Sequence, residues 1–210
     1  MTLSEMRSWA NTPRPGRLRV ELEDHGLLHY YDMEAHQCVT VHIPHDDPFN
    51  VEMTVNTNTS VAFPRVGNVK PIKRIGDAQH FIKGEGIAQR DVYHYVSRKD
   101  AKTLRVGLTV HRAAFSSTPH PFEMQPEEGF EEVFMFLLPD GGKGILECEG
   151  MWPAGGTTDS ATPVRDRQLA QVPMGWHRVT ALADAAGVPP RLGYIWSYLC
   201  LFPTWEKDLD

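Results

Sequence analysis

The chain lacks any apolar run long enough to span a membrane. Its opening stretch "MTLSEMRSWANTPRPGRLRVE" (Met1 to Glu21) has no apolar core of a secretory signal. These two absences lead to the expectation of a soluble, cytoplasmic protein that does not engage a membrane. A basic run is also missing. The net charge of -6 argues against a nucleic-acid partner, whose phosphates are gripped mainly by Lys and Arg. Cysteine is scarce: Cys38, Cys148 and Cys200 form an odd set without CxxC or zinc-finger spacing, and read as structural thiols of a reducing compartment. Helical periodicity is nearly absent, confined to Met1–Asn11 and to "VTALADAA" (Val179 to Ala186).

What the chain does have is β-pattern punctuated by sixteen prolines and seventeen glycines. Candidate strands are "RLRVELE", "CVTVHI", "VEMTVNT", "VYHYVS", "LRVGLTVHR", "EEVFMFLL", "GILECEG", "QLAQVPM" and "YIWSYLCLF". Several alternate with period two, which sends one set of side chains inward and the other outward. Many short strands at this spacing predict an all-β sandwich or barrel. The polar, Gly-rich stretch Ile82 to Asp91 divides the chain into an N-terminal half, residues 1–83, and a C-terminal half, residues 84–210. The turn-rich segment Ala154 to Arg167 reads as an exposed loop.

Three residues suggest chemistry. Glu132 opens an apolar strand and shares its face with Phe134 and Phe136. His177 ends "VPMGWH", where Pro173 and Gly175 predict a tight bend that delivers the imidazole at a strand end. His120 lies one loop ahead of Glu132. Two imidazoles and a carboxylate suit a divalent Zn, Fe, Mn or Ni ion with positions left open for substrate. Against this stands the ordinary fate of any one of ten histidines, a surface or hydrogen-bonded role.

The ordered series "GEGIAQRDVYHYV", "LRVGLTV", "FSSTPHPFE", "QPEEGFEEVFMF", "VRDRQLAQVPMGWH" and "YIWSYLC" resembles the 5-deoxy-glucuronate isomerase and uronate-isomerase branch of the cupin superfamily. The resemblance runs from about Gly84 to Asp208. It implies a cupin (double-stranded β-helix or jelly-roll) barrel, bicupin-like with a reduced N-terminal half. It places metal ligands on His120, Glu132 and His177. The family's second histidine of His-x-His falls on Phe122, which cannot ligate, and the following Asp falls on Glu123. That departure leaves three outcomes: a three-ligand metal, a substitute donor such as Glu123, Glu127 or His111, or loss of the metal.

The implied reaction is aldose–ketose isomerisation of a sugar acid through an enediolate, as in inositol catabolism, with the metal as Lewis acid. A general base must move a proton between neighbouring carbons, and His111 and Tyr194 are the candidates. Arg112, Arg165 and Arg178 are candidates for the substrate carboxylate, and Phe122 and Trp176 for the sugar itself. The resemblance also implies a homo-oligomer. A cupin metalloenzyme of other chemistry (oxygenase, lyase or epimerase) and a non-catalytic sugar-binding cupin remain alternatives.

Overall fold

A computed structural model of the chain describes residues 18–23, 26–57, 68–112, 120–121, 132–151 and 156–199. Five strands come first: β1 (Leu18–Glu23), β2 (Leu27–Asp32), β3 (Gln37–His42), β4 (Glu52–Thr57) and β5 (Asn68–Val69). They form an antiparallel sheet in sequence order. The remainder supplies β6 (Gln79–Lys83), β7 (Arg90–Val96), β8 (Leu104–His111), β9 (His120–Pro121), β10 (Glu132–Leu137), β11 (Lys143–Met151), β12 (Thr157–Arg165), β13 (Leu169–Val172), β14 (Met174–Leu182) and β15 (Gly193–Leu199). These build a six-stranded sheet ordered β13-β10-β15-β8-β7-β6 and a four-stranded sheet ordered β12-β11-β14-β9.

The six-stranded sheet is the middle layer. On β10, Phe134 and Phe136 pack with Val179, Leu146 and Cys148 of the four-stranded sheet. The alternate residues Met135 and Leu137 pack with Val39, Val41 and Val55 of the first sheet. Both faces are covered, so β8 and β15 are buried along almost their whole length. Each large apolar side chain so enclosed contributes about 1.5–3 kcal/mol. The two cores are therefore walled by one sheet, and the four-stranded sheet closes a jelly-roll barrel against it.

Three sequence expectations are revised. Ala154 to Arg167 contains a nine-residue strand, β12, paired along its length with β11. Its Thr, Ser and Asp residues hide the pattern because it is a solvent-facing edge, where Pro163 is tolerated. "VTALADAA" is not helical. Val179 and Ala181 point into the barrel core with period two, and the Asp184 carboxylate then accepts from the Ala186 and Val188 amides to make a turn. Nor do Pro173 and Gly175 form a tight bend. Gly175 lies at φ 135° inside β14, where a β-carbon would collide with the Glu149 carbonyl of β11. The helical expectation for Met1–Asn11 lies outside the described residues.

The boundary drawn at 83/84 lies inside the β6–β7 hairpin, and β6 is a strand of the middle sheet. Cys38 and Cys148 are buried free thiols, and Cys200 lies outside the described residues.

Candidate functional site

The inward face of the middle sheet is ordered in rows set by strand register. Glu132 of β10 stands in line with Val172 of β13, Tyr198 of β15 and Arg105 of β8. The next row holds Ala170, Phe134, Trp196, Gly107 and His94. Below it come Phe136, Tyr194, Thr109 and Val92, and then His111 beside Arg90. Across the barrel, His177 of β14 pairs with Cys148 of β11 on one side and with His120 of β9 on the other.

Glu132 and His177 are 1% and 3% exposed, so both functional groups are taken into the barrel interior. Three observations relate them. The Phe134 ring packs edge-on against the His177 ring at 5.6 Å. Cys148, the ladder partner of His177, has its thiol pushed up to about 12, first by burial and then by the Glu132 charge. Tyr194, stacked on Phe134 at 4.6 Å, has its phenol raised mainly by burial, with the Glu132 charge adding to it. The carboxylate of the middle sheet and the imidazole of the facing sheet thus flank the same aromatic and thiol groups. Among the described residues no cluster of three His, Cys, Asp or Glu side chains could hold a metal ion. Glu132 and His177 offer an oxygen and a nitrogen, donor types that suit a borderline divalent ion, and the backbone of His120 pairs with that of His177.

The other sequence candidates separate into two groups. His111 and Tyr194 do lie on the inward face, with ring centroids 5.9 Å apart. From Arg105, in line with Glu132, to His111 the strand advances about 20 Å, which places His111 away from the Glu132 row and removes it as a substitute ligand there. Burial, and secondarily the Arg90 charge, lowers its pKa from an ordinary 6.5 to about 4. At neutral pH it is an uncharged imidazole and a weak proton acceptor, and Tyr194 keeps its proton.

The arginines and Trp176 are turned outward. Arg112 donates from Nε and Nη2 to the Asp91 carboxylate, both at 2.6 Å. Arg178 donates from Nε to Glu147 at 2.6 Å on the outer face of β14. Arg165 is exposed at the end of β12, because its neighbour Val164 is the one that enters the core. Trp176 is 49% exposed, one residue from inward-facing His177. The period-two rule places these side chains: when His177 enters the barrel, residues 176 and 178 must leave it. Phe122, Glu123 and Glu127 lie outside the described residues.

Two inward-facing cations escaped the sequence reading. Arg105 is only 1% exposed, and its Nη1 donates to the carbonyls of Ala101 and Leu104 at 3.0 and 2.9 Å. Arg90 pairs with His111 in the ladder and donates to the Ala88 carbonyl at 3.1 Å. The signal was the alternation of β8, in which residues 105, 107, 109 and 111 share one face.

The His111 environment sets a pH response. Its folded pKa lies below its unfolded value, so between the two the unfolded chain binds more protons. Its contribution to stability is complete above about pH 6.5 and falls away as the pH drops towards about 4. Urea unfolding of the wild type should lose about 3 kcal/mol over that window from this residue. The His111→Gln variant should show a correspondingly flatter profile, and parallel profiles would refute the assignment.

No protein-family model matches the chain, and no curated protein matches it in sequence. Solved structures do. An IolB-like protein of Salmonella typhimurium superposes with a TM-score of 0.50 at 20% identity, covering 80% of this chain. The match spans 65% of that protein, so this chain accounts for less than two thirds of its length. A predicted oxalate decarboxylase of Thermotoga maritima gives 0.41 at 15% identity over 61% of this chain and 97% of its own. A cupin superfamily protein of Desulfitobacterium hafniense gives 0.36 at 9% identity, over 56% and 84%. The fold is the all-β cupin fold.

Proposed function

We propose that the protein is a metal-dependent enzyme that interconverts the aldose and ketose forms of a sugar acid resembling 5-deoxy-glucuronate. The observation that supports this reading is the placement of Glu132 and His177, buried on facing sheets about shared neighbours, with His120 opposite His177. His120, Glu132 and His177 are the residues that would hold the metal. When bound, such an ion supplies Lewis acidity to a carbonyl and its neighbouring hydroxyl, which lowers the cost of moving a proton between the two carbons.

The chain's own residues set the conditions for that step. Phe134, Trp196 and Tyr198 are almost fully buried beside Glu132 and keep bulk water from its surroundings. A drier site strengthens every electrostatic interaction within it. Tyr194 retains its proton and shares a hydrogen bond with the Thr109 hydroxyl, which fixes the floor beneath Phe134.

The test is metal analysis of the purified chain combined with NMR of D-glucuronate in deuterated water. Near-stoichiometric metal and deuterium entry at C2 are expected. Metal below about a tenth of an equivalent, without exchange, would favour a sugar-binding protein that does no chemistry. Bound metal with oxygen uptake and no exchange would favour a cupin enzyme of another class.

A further inference from the structure

We infer that a second copy of this chain docks on the outer face of the four-stranded sheet. The two sheets pack face to face about a two-fold axis that runs across their strands. Alternate residues of β12, β11 and β14 make this face, since Val164, Leu146, Cys148, Val179 and Ala181 are the ones that enter the core. Strand register sorts the outward residues into four rows. The first holds Arg165, Lys143 and Leu182, and the second Pro163, Ile145 and Thr180. The third holds Ala161, Glu147 and Arg178, and the fourth Asp159, Glu149 and Trp176.

Charge is divided between the two ends of the face. Arg165 stands directly across the ladder from Lys143, and Asp159 directly across from Glu149. Like charges at facing ladder positions destabilise a sheet. All four residues are exposed, and none has an ion-pair partner among the described residues. Between the ends, Glu147 is already matched by Arg178, whose Nε donates to it at 2.6 Å. Apolar groups follow the same division. Leu182 is 39% exposed at the basic end and Trp176 49% exposed at the acidic end. A hollow of about 360 Å³ lies beside Trp176, bounded by Glu147, Glu149, Asp159 and Arg178.

This polarity selects both the occupant and its orientation. Sheets packed face to face lie about 10 Å apart, within reach of long side chains from each. An axis along the strands would set Lys143 and Arg165 against the same residues of the second copy. An axis across the strands reverses the rows instead. Arg165 then faces the second copy's Asp159, Lys143 its Glu149 and Leu182 its Trp176, and each contact occurs twice. Four charges that repel a neighbour within the chain thereby gain an opposite partner, and the basic end fills the acidic hollow. An unrelated partner would need the same two poles at the same spacing, which a second copy already has. The face spans only about 20 Å from Lys143 to Glu149, so the dimer is a dissociable one.

Sedimentation equilibrium of the full chain from about 1 to about 200 µM provides the test. A monomer–dimer equilibrium is expected, weakening as salt rises from about 0.05 to about 0.5 M. Lys143→Glu with Arg165→Glu makes both ends acidic, and Glu149→Lys with Asp159→Lys makes both basic. Each pair should weaken self-association at least about tenfold, because every substitution acts twice in a two-fold dimer. Mixed in equal amounts, the two variants should form a heterodimer, and all four substitutions in one chain should restore the homodimer. A circular dichroism melt checks that each variant folds. Trp176→Ser should also weaken association, and it decides the question if a charge variant does not fold. A wild type that stays monomeric throughout, or folded variants that dimerise as well as it does, would overturn the proposal. Weakened variants that fail to pair with each other would overturn the axis across the strands.

Discussion

Substituting alanine for Gly107 is expected to destabilise the protein by about 3 kcal/mol or more, at the upper end of what overpacking produces. Gly107 lies in the middle of β8, on the face that looks into the barrel, in line with Trp196 and His94. A β-carbon there would overlap the Trp196 indole on one side and the Tyr93 main-chain carbonyl of β7 on the other. The carbonyl belongs to the ladder and cannot rotate away. The indole cannot move freely either, since it lies 4.5 Å from the His94 ring and stacks on Tyr198 at 5.8 Å. Urea denaturation with tryptophan fluorescence measures the effect directly. A loss under about 1 kcal/mol would mean that Trp196 has another rotamer available, contrary to this packing.

The second large effect concerns His177. Its replacement by alanine should lower affinity for a divalent metal by more than roughly 100-fold, beyond the loss usual for an outer-shell partner. Deuterium entry into D-glucuronate should disappear with the metal. Metal content by mass spectrometry and a circular dichroism melt are read together, because removing a buried ring also leaves a cavity beside Phe134 and Cys148. A folded His177→Ala protein that still carries a full equivalent of metal would sink the assignment of His120, Glu132 and His177.

Much of the architecture could be read in the chain because alternation and turn residues are local signals. Strands such as "CVTVHI" and "LRVGLTVHR" appear close to where they were drawn, as β3 and β8. The failures have physical causes. β2, "LLHYYD", is buried along nearly its whole length and shows no alternation. β12 is so exposed that polar residues and a proline fill it. The boundary drawn at 83/84 falls where β6 turns towards β7.

Site residues follow a similar division. Inward placement of Glu132 could be inferred from its face-sharing with Phe134 and Phe136, and burial bears that geometry out. Nearness in sequence to His177 does not decide which way an arginine points; parity along the strand does. Arg178 faces Glu147 on the outside for the same reason that His177 faces Phe134 on the inside. Parity applied to β8 would instead have pointed to Arg105. The approach of Arg90 to His111 depends on how β7 registers against β8, which no local pattern encodes.

The middle sheet has one further consequence, for how the chain comes apart. Because its two faces wall both cores, removing either outer sheet would expose to water the large apolar side chains packed on that face. Neither half has a low-energy partly melted form to fall into. Heat or denaturant should therefore take the whole assembly down in one cooperative step, with both cores lost together.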